Sequence, residues 1–175
     1  MKAGKIVALL GGLLMVLSVA LAYFSEDFGL YRIAIQGPGA DLTASVVPLD
    51  RIVTTGSVAF WAVAETETHA LVAVTFVLLL VAGVLALIGG AGSKAAGVVG
   101  GVLGLLAVVL FVAFVPVVGQ DLGYDFGDLS PYVTYSEPVT IVIVTYEVTQ
   151  ALWVGWYLAT FGALLALIGG LSAKK

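Results

Sequence analysis

An all-α transmembrane four-helix bundle carrying a small extracellular β-sheet built from two outer loops is the fold class this sequence predicts. Three observations carry that expectation. The chain of 175 residues is 61% hydrophobic and only 10% charged, with a mean hydropathy of +1.16. Its charges are confined to the gaps around four long uncharged stretches, and those gaps alternate in sign. A soluble domain carries about a quarter charged residues, so this chain lacks the polar groups to cover a water-facing surface. Its first partner is therefore the lipid bilayer.

The uncharged stretches run Ile6–Ser25, Thr68–Ser93, Ala95–Gln120 and Val148–Ala173. A helix rising about 1.5 Å per residue needs roughly 20 apolar residues to cross the hydrocarbon, and each stretch is long enough. The first is read as a retained anchor, although its basic start and Ala20-Leu21-Ala22 also fit a cleaved secretory signal.

The sign of the gaps sets the expected orientation. Lys2, Lys5, Lys94, Lys174 and Lys175 occupy the two ends and the middle turn, with no acid among them. All eleven acids fall in the other two gaps, joined only by Arg32 and Arg51, which leaves those loops nine charges negative. The positive-inside rule then places both termini in the cytoplasm of a multi-pass cell-membrane protein.

Each half of the chain starts on the same side and shares a pattern, which predicts two parallel hairpin repeats, residues 1–91 and 92–175. Shifted by 92 positions, Lys2, Ala3, Val7, Gly12, Leu13, Leu14 and Val16 fall on identical residues from Lys94 to Val108. Near the outer start of the second helix of each half, Thr68-His69-Ala70-Leu71 matches Thr149-Gln150-Ala151-Leu152. At its inner end, Leu85–Gly90 repeats identically as Leu165–Gly170.

Helices in lipid associate through small residues that let backbones approach. Ala82, Ala86 and Gly90, then Ala96, Gly100 and Gly104, then Gly155, Ala159 and Ala163 supply such stripes, expected to pack within one chain. Tyr23, Trp61, Trp153, Trp156 and Tyr157 mark the outer interface, where amphipathic rings prefer the headgroup level.

The outer loops read as strands. Tyr31–Gln36 alternates apolar and polar and ends in Gly37-Pro38-Gly39. Asp41–Val47, Arg51–Val63 and Val139–Thr145 are rich in Val, Thr and Ile. A sheet of four or five strands follows, with Thr140–Thr145 pairing onto a strand of the first loop and clamping the two halves together.

Four helices, a larger first loop, a smaller second loop and cytoplasmic ends resemble the claudin-like tetraspan architecture. Phe28-Gly29-Leu30-Tyr31-Arg32 is similar to that family's Gly-Leu-Trp signature, with Tyr31 in the place of tryptophan. The family's paired loop cysteines have no counterpart here. The resemblance implies an architecture and carries no activity over.

Chemistry is sparse. With no cysteine there is no disulfide or thiolate site. Asparagine is also absent, and the double loss fits a thermophilic, archaeal source. The spans hold no ionisable residue in their central parts, where a proton relay or ion-coupled transporter needs one. His69 is the only histidine, so two histidines cannot ligate a haem within this chain. No catalytic triad, phosphate loop or nucleic-acid patch is present, and no cofactor is expected. The one metal-like constellation is Glu65, Glu67 and His69, whose spacing puts 65 and 69 on one face of a strand or a helix. A solvated acidic approach to a helix is its plainer reading. Tyr124–Asp128 has calcium-like spacing but lacks most of an EF-hand loop. The expected function is non-enzymatic: structural assembly or lateral association, as a homo-oligomer or subunit of a larger membrane complex. The alternatives are an accessory subunit of a respiratory or other membrane enzyme, and a passive channel with an acidic vestibule.

Overall fold

The computed structural model describes residues 3–48, 51–58, 61–121, 134–141 and 144–173; side chains at 58, 61–68, 116–121 and several positions of 134–144 are outside the description. Four helices, α1 (Ala3–Phe24), α2 (Ala70–Ala91), α3 (Lys94–Asp121) and α4 (Val154–Ser172), are long and apolar enough to cross a membrane. Strands β1 (Tyr31–Gly37), β2 (Ala40–Val47), β3 (Arg51–Val58) and β4 (Trp61–Thr68) lie between α1 and α2 in the chain. Strands β5 (Thr134–Ile141) and β6 (Val144–Leu152) lie between α3 and α4.

The helices form a ring in which α1 packs against α2 and α4, and α3 packs against the same two. Glycine and alanine line the inside while Val77, Val109, Phe161 and Leu171 stand exposed on the outside. This reverses the pattern of a soluble bundle and suits a hydrocarbon solvent. The small-residue stripes are consumed inside the chain, as expected. A Cβ on Gly100 would meet the Ala82 carbonyl oxygen at 2.7 Å, and one on Gly104 would meet the Ala163 Cβ at 2.8 Å. The inner-end repeat is used with its partners exchanged: Gly89 abuts α3 at Gly97 and Gly90 abuts α1 at Leu9, whereas Gly169 abuts α1 at Ala8 and Gly170 abuts α3 at Val98.

All six strands join one antiparallel sheet in the order β4-β3-β2-β1-β6-β5. The turn between β1 and β2 uses Pro38 followed by Gly39 at φ 76°, the order a type II turn requires. The two loops do share a sheet, through the β1–β6 pairing of Tyr31 with Leu152 and Gln36 with Glu147.

Three expectations need correcting. Among the described residues there are six strands, because Arg51–Val63 divides between β3 and β4. Val139–Thr145 is likewise divided between two paired strands, with Ile141 of β5 opposite Val144 of β6 and Thr140 opposite Thr145, residues 142 and 143 lying outside the described residues. Thr140 therefore bonds its own hairpin, and residues 147–152 bond β1. A Val/Ile run carries no turn signal, so propensity alone could not locate that reversal. Finally, Thr149–Leu152 is strand rather than the start of the fourth span. Pairing with β1 claims that backbone, and α4 begins only after Trp153, whose N–H donates to the Leu30 carbonyl at 2.9 Å. Its counterpart Ala70-Leu71 is already helical, so the outer-end repeat occupies different structures in the two halves.

Candidate functional site at the sheet–bundle junction

The end of the bundle that meets the sheet carries most of the buried polar side chains. Register places Tyr31, Val46, Ile52 and Leu152 in one row across four strands, and all four are buried against α2 and α3 residues such as Val72, Phe76 and Phe111. Within this apolar layer the Tyr31 hydroxyl donates to Gln150 Oε1 at 2.9 Å, a link between β1 and β6. Burial pushes the Tyr31 phenol up to about 12, so it stays a neutral donor. In the next layer down, Trp156 Nε1 donates to the Val108 carbonyl at 3.3 Å, tying α4 to α3.

The segment Gly29-Leu30-Tyr31 is the pivot. Leu30 is 0% and Tyr31 2% exposed. Gly29 accepts from the Gly155 N–H at 3.1 Å, and Leu30 donates to the Val46 carbonyl at 2.9 Å. Side chains at 29 or 155 would collide with the Val46 and Phe28 carbonyl oxygens respectively. Glycine is required at both because two backbones touch there.

Arg32 of β1 and Arg51 of β3 flank this junction. Arg32 sits 4.9 Å over the Trp153 ring and 3.8 Å from Asp27. The Trp153 indole N–H is buried with no hydrogen-bond partner among the described residues. Arg51 sits 5.6 Å over the Tyr23 ring, and its Nε donates to the Pro48 carbonyl at 3.4 Å.

Of the sequence-predicted site, Glu65 and Glu67 fall on β4, opposite Thr54 and Ile52 of β3, so they share one face of the strand by parity. His69 is the N-cap of α2, its Nδ1 accepting from the Leu71 N–H at 3.3 Å. That cap uses one of the two ring nitrogens. The side chains of Glu65 and Glu67 lie outside the description, as do Asp125 and Asp128. Among the described residues no three His, Asp or Glu side chains gather to hold a metal ion.

Sequence reasoning missed the Tyr31–Gln150 bond and both arginine–aromatic contacts. A glutamine inside a long uncharged stretch was the available signal, and two lone cations among eleven acids was the other. No protein-family model matches this chain, and a comparison with curated proteins finds no match either.

Proposed function

We propose that this protein is a non-enzymatic, claudin-like membrane protein that acts by association, through the open edge of its sheet. The lysine-rich end lies in the cytoplasm and the sheet lies outside, by the asymmetry of lysines. The observation that carries the reading is the difference between the two sheet edges. β4 and β5 are both terminal strands. Pro138 interrupts β5, removing a donor and blunting that edge. β4 carries eight residues without a proline, an unblunted template for strand addition. A second copy pairing β4 to β4 closes the assembly at two chains, since β5 does not propagate it. Glu65 and Glu67 bring like charges to that edge, so cations or salt regulate the pairing. The two halves are read as duplicated hairpins, supported by the exchanged partners of Gly89–Gly90 and Gly169–Gly170.

The close packing of Gly104 against Met15 and Ala163 supports this reading over a channel through a single bundle. An accessory role in a larger membrane complex uses the same edge with a different occupant.

Because the chain has no cysteine, single cysteines test the reading without background. Ala64→Cys on β4 is expected to cross-link two copies in native membranes, in a manner altered by chelator or salt and by Glu65→Gln with Glu67→Gln. Ser136→Cys on β5 is expected not to. A monodisperse monomer with no β4 cross-link and no co-purifying chain rejects association. Turnover or selective ion conductance by the pure protein rejects it as well.

A further inference from the structure

Two adjoining cavities lie where α1 leaves the bundle. The upper is a polar cleft of about 400 Å³ beside Glu26, Asp27, Arg51 and Val53. The lower is an apolar groove of about 320 Å³ between Val16 and Val19 of α1 and Leu80 of α2, roofed by Pro48. Tyr23 and Phe24 line both, so the two lie side by side against the same pair of rings. Val16 to Tyr23 is about 10 Å of helix at about 1.5 Å per residue, from the middle of the span to its end. Phe24 is 83% exposed, a large ring left uncovered at the headgroup level.

The charges of the cleft are split. Arg51 makes its one hydrogen bond through Nε, so among the described residues its terminal nitrogens have no partner and no carboxylate pairs with it. Glu26 accepts from Thr55 at 3.4 Å, and Asp27 stands 3.8 Å from Arg32 with its side chain 79% exposed. Cation and carboxylates thus share one opening above an apolar slot.

We propose that this cleft and groove bind a phospholipid with a zwitterionic, amine-bearing headgroup. The phosphate lies on Arg51, the ammonium on Glu26 and Asp27, and one acyl chain in the groove. A guanidinium suits phosphate oxygens through paired N–H donors. The flanking carboxylates disfavour a purely anionic headgroup and favour one that carries its own cation. The cleft uses residues of α1, the turn after it and β3, and none of the β4 residues offered for pairing, so its failure leaves the association reading untouched.

The test is native mass spectrometry of the purified full chain in detergent, titrated with phosphatidylethanolamine, phosphatidylglycerol and diacylglycerol of equal chain length, and with soluble phosphoethanolamine. The expected order is phosphatidylethanolamine, then phosphatidylglycerol, then diacylglycerol, with phosphoethanolamine displacing none of them. Arg51→Gln should lower retention of both phospholipids about tenfold, the worth of a charged hydrogen bond. Glu26→Gln with Asp27→Asn should bring phosphatidylethanolamine down to phosphatidylglycerol, and Ala20→Trp should fill the groove and lower all three lipids. Diacylglycerol binding as tightly as phosphatidylethanolamine, phosphatidylglycerol binding tighter, or displacement by phosphoethanolamine each overturns the proposal. Unchanged retention in the Arg51→Gln chain does so too. The Glu26/Asp27 pair sits on the surface and reports even if a core-adjacent variant fails to fold.

Discussion

The lower bundle and the sheet junction hold together by opposite means. In the bundle the fully buried residues include Ala82, Ala86, Ala163 and Ala166, with Met15 as the large side chain among them. At the junction they are Leu30, Tyr31, Phe76 and Phe111, with hydrogen-bonded polar atoms inside the layer. The solvent explains the difference. Lipid gives helices no hydrophobic reward for approaching, so contact comes from backbones brought together by missing side chains. Where the chain emerges toward water, burying large apolar groups is itself favourable, by about 25 cal/mol per Å².

That contrast predicts different failures. The largest effect belongs to Gly11→Leu, since even a Cβ there runs into the Gly162 and Ala166 backbone of α4. Forced separation of α1 from α4 should cost about 3 kcal/mol or more, measured by denaturant titration in mild detergent. A loss under about 0.5 kcal/mol breaks the claim that missing side chains hold the bundle.

Next comes Tyr31→Phe, which strands the Gln150 side chain in an apolar layer at a cost of about 1–3 kcal/mol. Gln150→Leu combined with Tyr31→Phe should recover much of that, because removing both partners leaves nothing unsatisfied. A double variant as weak as the single one shows that the layer is held by shape rather than by the bond.

The same phenol sharpens the comparison through pH. Its folded pKa is raised from 10.0 to about 12 by burial. The stability that goes with the neutral phenol is therefore fully present below pH 10 and is lost as pH rises from 10 toward 12. Beyond the base-catalysed rise common to all amides, exchange of β1 and β6 should accelerate relative to the lower bundle over that window. The acceleration should vanish in Tyr31→Phe; persistence there assigns it to another group.

The smallest effect is expected for Arg32→Gln. It removes a cation from the Trp153 face and a long ion pair to an exposed Asp27, together about 0.5–1 kcal/mol. The readout is Trp153 fluorescence, which should shift while overall stability barely moves.

Charge-free runs located α1, α2 and α3 in the sequence to within a few residues, because a helix in hydrocarbon must be both long and uncharged. The same rule misplaced the start of the fourth span. Val148–Leu152 is uncharged too, but it is buried as a strand against β1, and burial in protein excludes charge as well as lipid does. Gly37-Pro38-Gly39 announced its turn through residue types that only a turn favours. Nothing in Val139–Thr145 announced that it divides between two strands. The Gly29-Leu30-Tyr31 pivot was visible as a motif, yet its role depends on Gly155 and Gln150 more than a hundred residues later, and local patterning carries no such distance. The Arg51 cleft was invisible for the same reason: it is assembled from the end of α1 and the start of β3.

The central place of β1 sets the order in which this protein is completed. Its β2 side is satisfied by the next ten residues or so, but the other side waits for β6, and Tyr31 meets Gln150 across 119 positions. At about 5–20 residues per second, synthesis takes roughly 6–24 s to deliver that partner. Through that interval one flank of β1 lacks its partner, a vacancy of the kind that chaperones cover and neighbouring nascent chains invade. The last hairpin is thus the latch of the sheet, and a ribosome stalled before residue 144 leaves a chain that holds α1 to α3 while β1 still waits for its second neighbour.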